Sequence, residues 1–412
     1  MTDLVAMAYA LDAADPLARY REFFQIPEGM IYLDGNSLGP LQRAVAERTS
    51  LTVGREWGEG LISSWDKAGW IRMPVNVGDR IASLVGVGNG EIAVGDSTSV
   101  NLFKCLAAAL RLRPSRRVIL AEHDNFPTDN YIVEGLAELC RDVEIRFFPS
   151  TDRIADHLAD DVAVVLLSHV HYRTSKIQDM AGVTREAHAR GALVVWDLSH
   201  STGAVKVELA KSGADFAVGC TYKYLNGGPG APAFVWVAPS LVSSVSQPLT
   251  GWMGHSRPFD FIPEYEAGAA IKRFVCGTPH VLSLSALDEA LKLWTEVDLD
   301  HVFEKSRRMT ELFIKLVEQE CIQFGLELQS PRDASARGSH VSFRLSYGYP
   351  VMRALAANGV LGDFRAPDTM RFGFAPLYLR YSDVAAAVAR LRTILTNKLW
   401  DVDTFKVSAA VT

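Results

Sequence analysis

The chain has 412 residues, 48% hydrophobic and 22% charged, with a net charge of −6. That mix excludes disorder over any long span, and the acidic balance lacks the basic face a nucleic-acid binder needs. Five dispersed cysteines without a C-x-x-C pair, no basic-then-apolar leader and no apolar run near ~20 residues argue against zinc, disulfides, secretion and membrane spanning, so a cytoplasmic protein without a structural metal is expected.

The length suits one large domain plus a smaller one. We expect residues 1–50 to contribute to the small domain, 51–285 to form the large domain, and 286–412 to form an α+β C-terminal domain. A short amphipathic helix is predicted over 12–24, stopped by Pro27. A strand then leads into the turn LDGNSLGP, where Asp34, Gly35, Asn36 and Ser37 suit turn chemistry and equally a pocket wall. A helical pattern follows Pro40. The segment 54–74 carries Trp57, Trp65 and Trp70 between glycines; Trp57 and Trp70 suit satellite core, and Trp65 is the candidate wall for an aromatic substrate.

After a helix over 75–84, the strand EIAVG runs into Asp96, Ser97, Thr98 and Ser99, then the helix VNLFKCLAAALRL. Hydroxyls there serve as N-caps, and the same strand–hydroxyl–helix arrangement cradles a phosphate. Neither P-loop nor dinucleotide glycine fingerprints are present, which disfavours a nicotinamide dehydrogenase. Strands at RRVILAE, VEIRFFP, DVAVVLLSHV, ALVVWD, DFAVGC and APAFVWV alternate in part with helical segments, including one at TDRIADHLAD. Near-continuous apolar strands of this kind predict a mostly parallel sheet covered on both faces, with ligands beyond the carboxyl ends of the strands. From about Val281 the pattern changes to two long amphipathic helices and then short strands and helices.

The chemistry converges on Asp197, ending ALVVWD, and Lys223, 26 positions later in TYKYLNGGPG. A carboxylate at a strand end and a lysine in a small-residue loop are what a pyridoxal phosphate site needs: the amine joins the aldehyde and the acid keeps the pyridine nitrogen protonated. His200 is placed to support Asp197 or reach the phosphate, and Tyr222 to bind phosphate or move a proton. Phe126 and Asp129 suit a helix start, and equally stacking and hydrogen bonding at a planar ring. Arg371, in the apolar strand MRFGF, is the candidate clamp for a substrate α-carboxylate.

With LDGNSLGP, NFPTD, WDLSHSTGAV, TYKYLNGGPGAPAF, GWMGH and MRFGFAPLY in view, the chain resembles the kynureninase family, hydrolases of the aspartate-aminotransferase-like, class V fold that use pyridoxal 5′-phosphate. The resemblance implies Lys223 as the lysine bound to the cofactor, Asp197 at its ring nitrogen, Phe126 stacked on its ring with Asp129 nearby, and Ser97, Thr98, Ser168, His200 and Tyr222 on its phosphate side. It implies Trp252 and Thr278 as contacts donated across a homodimer with shared sites, and Asn36, Ser37, Trp65 and Arg371 toward substrate. The animal branch often has asparagine where Thr278 stands, which leans toward the bacterial type, preferring kynurenine over its 3-hydroxy form. The implied reaction is hydrolysis of L-kynurenine to anthranilate and L-alanine in tryptophan catabolism, with Lys223, Tyr222 and Asp197 catalytic. Rivals on the same scaffold are a cysteine desulfurase or a class V aminotransferase; a non-catalytic pyridoxal phosphate module is a further one. A desulfurase needs a mobile-loop cysteine, and SPRDASARGSH has none.

Overall fold

The computed structural model describes residues 3–407. A first strand, β1 (Ile31–Tyr32), lies outside the main sheet. The next seven, β2 (Ile92–Val94), β3 (Val118–Glu122), β4 (Glu144–Phe148), β5 (Val162–Ser168), β6 (Leu193–Asp197), β7 (Phe216–Gly219) and β8 (Phe234–Val237), form one sheet in the order β2-β8-β7-β6-β5-β3-β4. Strand β8 pairs antiparallel with both neighbours and the other pairs are parallel.

Side chains alternate across this sheet. Leu120, Val165, Val194 and Trp196 enter one core, while Ile119, Val164, Val195 and Phe216 enter a second core on the opposite face. Helices Thr98–Leu112, Pro127–Leu139 and Met180–Ala189 pack on the strands. Two buried faces are why these strands read as unbroken apolar runs in the sequence.

The smaller sheet contains β9 (Glu327–Leu328), β10 (His340–Arg344), β12 (Asp363–Arg365) and β13 (Thr369–Gly373), antiparallel in the order β12-β13-β10-β9, while β11 (Val360–Leu361) pairs in parallel with β1. The long helices Leu299–Glu320 and Tyr381–Thr396 pack together beside it.

Two predicted helices are corrected. The helix expected over 12–24 lies earlier, at Asp3–Ala13, followed by a 3-10 turn at Ala18–Phe23. Pro16 disfavours helical backbone at Asp15, whose carboxylate instead accepts the Leu17 N–H at 2.9 Å. TDRIADHLAD forms only a 3-10 turn at Ile154–Asp156, in keeping with its poor helix formers and just two buried anchors, Ile154 and Leu158. Among the described residues no helix is long and apolar enough to cross a membrane.

Candidate active site

The parallel register places the carboxyl ends of neighbouring strands side by side, Ser168 opposite Asp197 and Asp197 opposite Val218. Beyond them opens a cavity of about 640 Å³ whose lining includes Ser97, Thr98, Phe126, Asp129, Asp197, His200, Tyr222 and Lys223. Residues 126 sequence positions apart thus share one chamber, because each follows a strand or begins a helix at the same edge of the sheet.

Lys223 is held by its loop. The Gly227 N–H donates to the Thr221 carbonyl at 2.9 Å, the Thr221 hydroxyl donates to the Pro232 carbonyl at 2.7 Å, and Gly228 takes a left-handed φ of 90°. The turn of residues 33–40 braces it from outside: the Gly39 N–H donates to the Tyr222 carbonyl at 2.7 Å, and a Cβ on Gly39 would fall 2.3 Å from the Lys223 carbonyl oxygen. Close approach, not turn conformation alone, demands glycine there. The Lys223 Nζ lies 3.0 Å from His200 Nε2 and over the rings of Phe126 and Tyr222, 5.9 and 6.0 Å from their centroids.

Asp197 and Asp129 are both buried and interact with each other and with Lys223. Burial pushes both carboxyls up. Asp129 also faces the charge of Asp197 and is the one held protonated, while Lys223 and two hydrogen bonds from Ser199, at 2.8 Å from its N–H and 2.6 Å from its hydroxyl, favour the ionised Asp197. Tyr222 is pushed up by the neighbouring Cys220 sulfur and by burial, so its phenol keeps its proton at neutral pH. At the other end Ser97 caps the helix Thr98–Leu112, accepting from the Val100 N–H at 3.3 Å.

Ser168, Arg371, Asn36, Ser37, Trp65, Trp252 and Thr278 lie outside the cavity lining. The Ser168 hydroxyl donates to Asn125 Oδ1 at 2.6 Å, and Asn125 Nδ2 donates to Asp129 at 3.2 Å, so Ser168 reaches the site through Asn125. His200 meets Lys223 and makes no hydrogen bond to Asp197 among the described residues. Arg371 is fully buried: its Nε donates to Asp363 at 2.7 Å, one Nη2 hydrogen goes to Asp363 and another to Ser37 at 3.0 Å, and Nη1 donates to the Tyr172 carbonyl at 2.6 Å. Asn36 is buried and Ser37 half-buried in the turn beside the small sheet. Trp65 and Trp252 pack edge-to-face at 6.2 Å, and Thr278 is exposed two residues before His280, which does line the cavity.

Sequence reasoning passed over Asn125, Ser199, His280, His340 and Asp363. Asp363 had a signal, an acid eight positions before the buried arginine in GDFRAPDTMR. Cys321, at the end of the long helix Leu299–Glu320, is fully buried and so is not the mobile-loop cysteine that a desulfurase needs.

The Kynureninase C-terminal domain family model matches residues 302–391. Kynureninase of Burkholderia pseudomallei (strain 1106a) is 50% identical over 410 residues, 98% of this chain and 99% of that protein. Kynureninase of Pseudomonas fluorescens is 48% identical over 408 residues, 98% of each. Among solved structures, the cysteine desulfurase CsdA of Escherichia coli aligns with a TM-score of 0.78 at 19% identity over 92% of this chain and 98% of that one. A C-DES mutant with glycine covalently linked to the PLP cofactor gives 0.78 at 17% identity, over 90% and 98%. Those two show the fold alone. Half identity sustained from end to end shows more, and the chain belongs to the kynureninase family.

Proposed function

We propose that this chain hydrolyses L-kynurenine to anthranilate and L-alanine, using pyridoxal 5′-phosphate. The observation that carries the reading is the meeting of Lys223 with the Asp197–Asp129 pair in one cavity, in a chain about half identical to kynureninases throughout. The residues fit the cofactor: an amine for its aldehyde, a buried carboxylate pair for its ring nitrogen, the Phe126 ring for its face, and the Ser97–Thr98 helix start for its phosphate. Ser168, His200 and Tyr222 complete the phosphate side in this reading, Ser168 through Asn125. When bound, the cofactor supplies an aldehyde that joins amines and a ring that takes up the electron pair left at Cα.

The chain's own residues do the rest. Lys223 would hold the cofactor through its amine and, once that amine is free, would take the Cα proton of the substrate. Tyr222, protonated at neutral pH, donates to the γ-carbonyl oxygen as water adds to that carbon and regains a proton from that water; as the diol collapses the Cβ–Cγ bond breaks with its electron pair on Cβ, which takes the proton the diol gives up, and Lys223 returns its proton to Cα, leaving anthranilate and alanine. Arg371 clamps the α-carboxylate, its guanidinium oriented by Asp363; Asn36 and Ser37 face the same end, and Trp65 the aniline ring.

A homodimer completes each site with Trp252 and Thr278 of the other protomer. Exposed apolar side chains at Trp57, Leu61, Ile62, Phe259 and Phe261 support such an interface. The pairing of Ile31–Tyr32 with Val360–Leu361 supports assigning residues 1–50 to the small domain. The same reading gives a cytoplasmic enzyme of tryptophan catabolism and NAD biosynthesis, of the bacterial type that prefers kynurenine.

Purified protein with the cofactor is expected to be yellow and to release fluorescent anthranilate from L-kynurenine, with both properties lost in Lys223→Ala. Sulfide release from cysteine without anthranilate would overturn the reading in favour of a desulfurase.

A further inference from the structure

Beside Lys223 lies a group of buried polar side chains with unpartnered atoms, one of which, His340, has no part in the proposed chemistry. His340, on β10, is fully buried, and neither ring nitrogen has a hydrogen-bond partner among the described residues. Its ring centroid is 5.4 Å from that of His200, whose Nδ1 is likewise buried and without a partner. His340 stands directly opposite Gly373 in the antiparallel pair of β10 and β13. Directly opposed residues present their side chains on the same face, with Cβ positions roughly 5 Å apart. On that face the place of a Gly373 side chain is filled by Asn36: a Cβ there would fall 2.0 Å from Asn36 Oδ1. Asn36 is fully buried, and both of its amide atoms lack partners. Three buried polar side chains thus run from the turn of residues 33–40 to the lysine.

Buried polar groups in folded proteins are satisfied, commonly through an ordered water with two to four partners. The tautomer of His200 follows from the same accounting. Its Nε2 faces a Lys223 amine at 3.0 Å, and an amine presented as a donor requires the Nε2 lone pair there. The ring proton is then on Nδ1, which is buried without a partner and needs an acceptor, and His340 is the ring packed beside it.

We infer that His340 and Asn36 are positioning residues for Lys223: through one ordered water they accept the Nδ1 proton of His200 and so keep its Nε2 lone pair aimed at the lysine nitrogen. The inference rests on the reading of Lys223 as the cofactor-bearing lysine. Burial holds both imidazoles neutral, well below the ordinary histidine range. The charged and titratable groups around them are Lys223, Arg371 and Arg365, with Asp363 and His171 also facing His340. The cations outnumber the one carboxylate and reinforce neutrality.

The test uses the holoenzyme. In His340→Leu the pH midpoint of its visible absorbance is expected to fall by about one unit, a tenfold change in the equilibrium read. The conservative His340→Gln, whose amide oxygen can accept, should restore it, while both variants keep their cofactor. A merely structural role would lower the melting temperature without moving the midpoint, and a midpoint unchanged in coloured His340→Leu would overturn the inference. The wild-type holoenzyme gives an arm that does not depend on a variant folding: its ¹⁵N-histidine spectrum should place the His200 proton on Nδ1, and a proton on Nε2 would overturn it. A wild-type protein that binds no cofactor would instead strike at the proposed function.

Discussion

Glu122 ends β3 with its side chain buried; one carboxylate oxygen accepts from Gln178 Nε2 at 3.3 Å and the other has no partner among the described residues. Burial, then the charge of Asp124, pushes its carboxyl up to about 7 from the ordinary 4.5, with Lys176 opposing. Between those two values the folded chain keeps a proton that the unfolded chain has lost, so this group's contribution to stability falls as pH rises from 4.5 to 7 and is level above. Glu122→Gln removes that dependence. The variant should gain on wild type by on the order of 2–3 kcal/mol between pH 4.5 and pH 8, read by urea unfolding at both values. A stability difference that is the same at both would show that the carboxyl ionises normally. Arg371 gives a second test at this scale. Asp363→Asn leaves a buried guanidinium without its charge partner and should cost about 3–5 kcal/mol of stability. Arg371→Ala, assayed under conditions where it remains folded with cofactor bound, should raise the KM for kynurenine sharply; an unchanged KM would remove Arg371 from the substrate site.

Elements meet here through positions with no room for a side chain. Gly373 at the end of β13 receives Asn36, and its N–H donates to the Leu33 carbonyl at 2.7 Å, so the turn of residues 33–40 is fastened to the small sheet while Gly39 fastens it to the lysine loop. Gly373→Ala should push this turn away. We expect a loss of roughly 1–3 kcal/mol from overpacking, visible as a lower melting temperature, together with a fall in kcat/KM. An alanine variant matching wild type in both would mean that the turn moves freely. This fastening was only half legible in the sequence. DGN with a following glycine announced a turn, because small polar residues carry turn chemistry wherever they lie. Nothing local said that the turn would rest on a strand more than 330 residues away, since that contact is made by two backbones and an amide with no periodic signature. The large sheet was legible for the opposite reason: strands buried on both faces carry unbroken apolar runs, and the site residues follow at their carboxyl ends. The segment TDRIADHLAD misled because two apolar residues four apart mimic a helix face, although its three aspartates and its histidine are poor helix formers.

At the scale of the whole molecule, the candidate residues divide into those the fold gathers and those it leaves on the outside. Phe126, Asp129, Asp197, His200, Tyr222 and Lys223 share one cavity, whereas Trp252 packs on Trp65 and on the half-exposed Phe259, and Thr278 is exposed. A residue supplied to another protomer has no reason to reach its own site, which is why a single chain's sequence pattern cannot say whose pocket it serves. Complementation between inactive variants distinguishes the two. Lys223→Ala lacks the amine but keeps Trp252; Trp252→Ala keeps the amine but lacks the indole. If the indole crosses the interface, a heterodimer of the two has one site with both groups and one with neither. Random reassortment gives about half heterodimers, so mixing equal amounts should recover about a quarter of wild-type activity from two nearly inactive proteins. If Trp252 serves its own chain, every site in the mixture lacks one group, and activity stays at the average of the two variants. Sedimentation of the mixture at twice the 45.2 kDa of one chain is the companion measurement, since a monomer could not reassort at all.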